Sequence, residues 1–426
     1  MKRSVACIAI LLTGVVAAHA TVFSGRVGVS SYLWERSELD STDTRHWQNS
    51  ATASLRLDRI GGQNLEISTS LRGRTDARNA GDNVNDYRVY NLQARWRDIA
   101  HRLDLTGGRQ WVAWPVGSTS IDGASATLRA TCGFDVGGYF GLLAPEDGRF
   151  KTTNYDDGHA FGAQLGYRRP AVGNLALFFN ERHLSRTYET SVGAKPVNNL
   201  AARTIGIDWR KPIERFGSLY GQLAYDLPTE RLNRVQLSAR WRMSPTVSVN
   251  GQFRYRRPDL AYNSIFWVFG GSRYYEERLR LDVRLNSDWT LNMGGAYVNL
   301  VDGNITRFDA GLSHRYISFT LHGQGGASGN TFGLSGDVLY PITPKWMIRG
   351  GSNYASYDLY EDQPESNWEV SSWAGLRWQW LPQSTADVEG QFLSQNIKTQ
   401  SQFAGDKSDF RLLMRITWSF FSRTGN

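Results

Sequence analysis

Cysteine is almost absent from this chain, and its scarcity removes several functions at once. Of the two cysteines, Cys7 lies within an apolar N-terminal run, which leaves Cys132 alone in the remainder. One thiol can form no intramolecular disulfide, and zinc chemistry through cysteine pairs is excluded. The histidines give no metal or catalytic motif either: His46, His101, His159, His183, His314 and His322 are scattered, with no HExxH, and no GxSxG occurs. Neither metal, cofactor nor enzymatic activity is therefore expected. Long apolar runs are missing too, because nothing after the N-terminus reaches the roughly 18 residues that a membrane helix needs. Lysine is also scarce, so most of the formal net charge of +8 comes from arginine. Arginine suits fixed ion pairs and the binding of carboxylate or phosphate groups, so the basic balance gives no reason to expect a nucleic-acid partner.

The N-terminus reads MKRSVACIAILLTGVVAAHA, with Lys2 and Arg3 ahead of an apolar stretch and Ala18-His19-Ala20 as a small-x-small cleavage site. Residues 1–20 are thus expected to be a secretory signal, with 21–426 forming a single exported domain. Cys7 would leave with the signal, and it lies too early to be a lipoprotein cysteine. The first strand pattern follows directly, which leaves no room for a plug domain ahead of it.

What the chain does contain is glycine, tryptophan and alternation. It has 43 Gly and 15 Trp, with 12% aromatic residues overall. Segments of period two begin at VFSGRVGVSSYLW from Val22 and recur to DFRLLMRITWSFF from Asp409, with no convincing helical stripe between them. Short turns are expected near residues 60, 99, 132, 171, 212, 244, 287, 315, 342 and 382. An aromatic beside an arginine repeatedly precedes such a turn, as in ARWRD, GYRRP, DWRKP, RWRMSP and LRWQWLP. Between the turns lie longer polar connections, among them ERSELDSTDTRH, TDARNAGDNVND, APEDGRFKTTNYDDG, SRTYETSVGAKPVNN and YEDQPESN.

Short turns at one end and long polar loops at the other are the arrangement of a transmembrane β-barrel, with the turns periplasmic and the loops extracellular. The expected fold is all-β: a single antiparallel barrel of about 22 strands, within a range of roughly 18 to 24. The segments near 116–145 and 304–340 are the hardest to delimit. A soluble sandwich or propeller would have shorter strands and closer turns. The expected location is the Gram-negative outer membrane after export. Trp96, Tyr167, Trp209, Trp241, Trp378 and Trp418 are expected at the membrane interface, with the neighbouring arginines reaching lipid headgroups.

Two local resemblances support this reading. Phe410, Leu412, Met414, Ile416, Trp418 and Phe420 form an unbroken apolar face that resembles the C-terminal strand of bacterial outer-membrane barrels. The resemblance implies recognition by the outer-membrane assembly machinery, although the tail SRTGN departs from a pattern that usually ends on the aromatic. The segment LTGGRQWVAWPVGSTSIDGASATLRA, from Leu105, resembles the GRQ strand and following D-G strand of porin-like barrels, including the alginate-export type. That resemblance implies that Arg109 and Asp122 lie near a constriction, where the link from Trp111 to Ile121 bends into the lumen. A plain hairpin loop is the alternative for this link.

If the apolar parity faces lipid, the other parity lines the lumen. On three successive strands this gives Arg240 and Arg242, then Arg254 and Arg256, then Arg278, Arg280, Asp282 and Arg284. Asp208, Asp226, Glu276 and Asp282 are placed to pair with some of them. The functional reading is an electropositive path for small polar or anionic solutes through a passive channel; the structural reading is a ladder of ion pairs that stiffens the wall. A different function is also open: a sheath or conduit whose lumen holds a partner such as a secreted polymer, a lipoprotein or a separate cytochrome. A hydrolase at the barrel rim is a third reading. The outer wall would meet the lipid bilayer and lipopolysaccharide.

Overall fold

The computed structural model describes residues 20–36, 44–77, 86–115, 117–130, 132–185, 187–190, 193–196, 200–214, 216–257, 273–327, 329–358, 367–397 and 405–423. Nearly all of the expected signal lies outside them, as do most of the polar loops after Arg36, Asp76 and Asp358. The strands are β1 (Ala20–Arg36), β2 (Thr44–Ile60), β3 (Leu65–Asp76), β4 (Asp86–Ile99), β5 (Leu103–Trp114), β6 (Gly117–Arg129), β7 (Phe134–Leu143) and β8 (Gly158–Arg169). Next come β9 (Gly173–Leu184), β10 (Thr187–Thr190), β11 (Gly193–Pro196), β12 (Leu200–Ile213), β13 (Gly217–Asp226), β14 (Arg231–Arg242), β15 (Val247–Arg256) and β16 (Tyr274–Arg284). The chain finishes with β17 (Thr290–Leu300), β18 (Gly303–Ser313), β19 (Ile317–Gly326), β20 (Thr331–Pro341), β21 (Trp346–Tyr357), β22 (Asn367–Leu381), β23 (Ser384–Ile397) and β24 (Gly405–Arg423).

Twenty-two of these strands form one antiparallel sheet that closes on itself, with β1 paired to β24 from Val22↔Arg423 to Leu33↔Leu412. Closure leaves no free sheet edge, which is what a β-structure needs in order to stand in hydrocarbon. The short strands β10 and β11 pair only with each other, as a ribbon in the connection between β9 and β12. The number of wall strands is that expected from the turn spacing. Each of the ten expected short turns joins two wall strands at the same end of the barrel. At the other end, four connections are as short as these turns: those at 115–116, 227–230, 301–302 and 327–330.

Alternation sets the two faces. On the outer face stand Val29, Leu105, Val136, Leu165, Leu177, Leu237, Leu279, Phe308, Phe332, Ile348, Phe392 and Ile416, all large, apolar and exposed. The other face is polar and concave, and its side chains converge closely enough to bond past an intervening strand. Arg278 on β16 reaches Asp309 on β18 at 2.9 Å. The β17 residue opposite Asp309 is Gly294, where a Cβ would stand 2.6 Å from Asp309 Oδ1.

Candidate functional site: the lumen wall and an inward hairpin

The outer face carries an aromatic girdle at the short-turn end. Trp96, Tyr167, Trp209, Trp241, Trp378 and Trp418 all lie near the short-turn ends of their strands and share the parity of the apolar face. Trp96, Trp241, Trp378 and Trp418 are more than two-fifths exposed. Trp346 stacks on Trp378 at 5.7 Å, Phe134 lies 4.6 Å from Tyr167, and Trp209 Nε1 donates to the Val172 carbonyl at 2.9 Å. Their arginine neighbours on the same strands take the inward parity. A residue next to an outward aromatic on a strand must point inward, so Arg97 pairs with Glu66 and Arg377 with Asp387 inside the barrel.

A closed antiparallel barrel with an apolar belt, an aromatic girdle and a polar interior has only one solvent that suits its outer wall. The chain has the fold of a transmembrane β-barrel. No protein-family model matches its sequence, and no curated protein does. Among solved structures it is similar to Acinetobacter baumannii OccAB4, with a TM-score of 0.45, 11% identity, and coverage of 94% of this chain and 99% of that one. It is also similar to Pseudomonas aeruginosa OccK2 (OpdF), with a TM-score of 0.46 and 11% identity over 93% and 98% of the two chains. The translocation pore of the P pilus usher PapC gives a TM-score of 0.48 and 8% identity over 94% and 100%. Likenesses at this level say nothing about what the barrel carries.

Within the lumen the segment from Trp111 to Ile121 leaves the wall. The ladder between β4 and β5 stops at Leu92↔Arg109, while β5 and β6 stay paired with each other to Trp114↔Gly117. Above that point the hairpin folds inward. Val112, Trp114 and Ile121 pack on Tyr139, Ala160 and Phe178, which belong to the inner faces of β7, β8 and β9. At the tip, the Pro115 carbonyl accepts from Gln222 Nε2 on β13 and, at 3.4 Å, from Arg234 Nη1 on β14. The opposite face of the hairpin, with Trp111, Ala113 and Ser118, is exposed. Room for the hairpin comes from small inward residues beneath it: Gly141, Ala160, Gly162, Gly206 and Ala224. A Cβ on Gly162 would stand 2.6 Å from the Trp114 ring.

Arg109 and Asp122 mark the point of departure. Arg109 makes two hydrogen bonds to the Asp122 carboxylate, each 2.7 Å, and donates to the carbonyls of Val89 at 3.3 Å, Arg149 at 2.8 Å and Lys151 at 2.9 Å. All five guanidinium donors are therefore used. Two of those carbonyls belong to the β7–β8 connection, which also accepts the Val89 amide on the Gly148 carbonyl at 2.7 Å. The connection thus covers the edge of β4 that β5 abandoned. Gly108, just before the bend, has φ +108, and a Cβ there would sit 2.3 Å from the Leu92 carbonyl.

The charged residues of the inner wall fall into two kinds. Around the short-turn end, acids and arginines are closely paired. Asp387 takes Arg377 at 2.6 Å and Arg349 at 3.5 Å, Glu389 takes Arg349 at 3.0 Å, and Glu66 takes Arg56 at 3.0 Å as well as Arg97. The wall of β14 to β16 is different. Arg234 lies opposite Arg256, Arg254 is opposite Gln236 and Glu276, Arg278 is opposite Gln252, and Arg240 and Arg280 flank Asn250. Arg242 is opposite Ser248, and Arg284 lies two residues beyond Asp282. Inward arginines therefore occur at every second residue down the wall, a step of about 6.7 Å.

Among the described residues only two of these arginines pair with a carboxylate: Arg278 with Asp309, and Arg280 with Asp282 at 2.9 Å. Among the described residues no carboxylate lies within ion-pairing distance of Arg240, Arg242, Arg254, Arg256 or Arg284. Glu276 takes none of them, and Asp309 was not anticipated from the sequence. Its role needed the register across glycine-bearing β17, which alternation alone does not give. Among the described residues no group of three His, Cys, Asp or Glu could hold a metal ion. His159 and His183 stack at 4.5 Å on the outer face, and His322 lies opposite Asp309.

Proposed function

We propose that the barrel is a passive outer-membrane channel for small polar solutes, with anions favoured along the arginines of β14 to β16. One observation carries the reading: apart from Arg278 and Arg280, the inward arginines of β14 to β16 have no carboxylate partner among the described residues, and Arg234 and Arg256 stand directly opposite each other. Like charges facing across a strand pair destabilise a sheet. A ladder that only stiffened the wall would place acids between them, as the Asp387 and Glu389 network does. A run of fixed cations instead raises the local concentration of anions in a narrow aqueous path. The inward hairpin narrows that path from one side, and its exposed face carries no charge.

Purified protein in a planar bilayer tests the reading. A steady conductance, with a reversal potential in a KCl gradient set by chloride, is the expected result. Absence of conductance would contradict it and favour a barrel whose lumen holds a partner. In the same reading the outer wall contacts bilayer lipid and lipopolysaccharide, and β24, with Phe410 to Phe420 facing outward, is the segment read by the assembly machinery.

A further inference from the structure

Three arginines of the lumen wall meet at the tip of the inward hairpin. By register Arg234 on β14 stands directly opposite Arg256 on β15, and Arg254 shares the inward face one step of about 6.7 Å down the wall. Side chains directly opposite in an antiparallel pair leave Cβ atoms about 5 Å apart, so the guanidinium groups of Arg234 and Arg256 can reach one shared point. Arg234 Nη1 donates to the Pro115 carbonyl at 3.4 Å, which sets the group against the hairpin tip and uses one of the five donors of that side chain. Among the described residues no other hydrogen bond and no ion pair engages the side chains of Arg234, Arg254 or Arg256. Gln236, opposite Gln222 and Arg254, adds an amide to the same face, and Tyr274 stands opposite Arg256. The acid nearest by register is Glu276, opposite Arg254, while on the β13 side Asp226 stands opposite Arg231. Three guanidinium groups against the one carboxylate of Glu276 leave two positive charges without a counter-charge.

We propose that Arg234, Arg254 and Arg256 form a binding site for a doubly charged phosphate group, as free phosphate or as a small phosphomonoester, at the tip of the hairpin. The site rests on the reading of the barrel as an anion-favouring channel, and it names the class of solute that such a channel selects. A chloride ion or a single carboxylate would cancel only one of the two charges. A phosphate dianion cancels both, and its oxygens are numerous enough to take two guanidinium forks at once. Arg234 keeps four donors for it after the bond to Pro115. Like charges directly opposite on a strand pair are unfavourable, so an anion held between Arg234 and Arg256 also relieves the wall.

The test is isothermal titration calorimetry of the intact folded barrel in detergent, at about pH 8, where a phosphate group carries its second charge. Inorganic phosphate should bind saturably, one ion to each barrel, and several-fold more tightly than acetate or succinate. Arg234→Gln and Arg256→Gln should each weaken it by roughly tenfold, the loss of one charge-assisted hydrogen bond. Arg284→Gln removes the same charge near the short-turn end and should weaken it far less. Heat-dependent gel mobility checks that each barrel folds. Succinate bound as tightly as phosphate, equal losses in all three variants, or no saturable binding would each overturn the proposal. Glycerol 3-phosphate separates the two sources: an affinity close to that of phosphate supports recognition of the phosphate group, and a much weaker one supports the free ion. The titration needs no ion flow, so the site and the channel fail separately. A chloride-set conductance without phosphate binding would sink the site alone, and phosphate binding without conductance would sink the channel alone.

Discussion

Arg109 shows how much one side chain can organise. Its side chain is almost fully buried, it saturates a carboxylate and three carbonyls, and it ties together β4, β6 and the β7–β8 connection at the place where the wall is interrupted. Lysine has the charge but neither the planar fork nor the donor count. Arg109→Met should leave Asp122 as an uncompensated charge and cost about 3–5 kcal/mol of barrel stability. Arg109→Met combined with Asp122→Leu should recover a large part of that loss. Urea midpoints of the folded barrel in detergent give the cycle, and a single variant as stable as the wild type would remove Arg109 from its structural role. At the same scale, Asp309→Asn should leave Arg278 without its acid and strengthen anion selectivity, because one more lumen cation becomes unpaired. A shift towards cations would contradict that expectation.

Among the elements, the hairpin from Trp111 to Ile121 is the one that leaves the wall for the lumen. Replacing Trp111–Ser120 with a short Gly-Ser link should raise single-channel conductance roughly twofold, while the barrel still folds through the remaining wall ladders. Unchanged conductance would mean that the hairpin lies outside the path of ions. Gly162→Val should act in the opposite direction, because its side chain would take the space of the Trp114 ring and push the hairpin further into the lumen. The turns and faces of the wall were legible in the sequence, since short turns and two-residue alternation are local properties. The hairpin was legible only as one of two possibilities, because WVAW keeps the alternation of an ordinary strand after it leaves the sheet. The available signal was indirect: small inward residues at Gly141, Ala160, Gly162, Gly206 and Ala224, on strands that come later in the chain. The inward arginines beside the girdle aromatics followed from alternation as well, and Arg97 and Arg377 take their acids inside the barrel.

For the whole molecule, the division of charge matters most. Paired ions hold the wall around the short-turn end, while most inward arginines of β14 to β16 have no carboxylate partner among the described residues. The two sets should respond differently to the same chemistry. Arg349→Gln and Arg377→Gln remove partners from the nearly buried Asp387 and should lower stability by roughly 1–3 kcal/mol, with little effect on selectivity. Neutralising Arg240, Arg254, Arg256 and Arg284 to Gln removes no ion pair among the described residues and should leave stability unchanged or higher. The decisive measurement is the reversal potential of this fourfold variant beside the wild type, in a planar bilayer under a KCl gradient. A potential set by chloride is expected for the wild type, with a clear shift towards potassium for the variant. The same potential for both proteins would contradict this expectation.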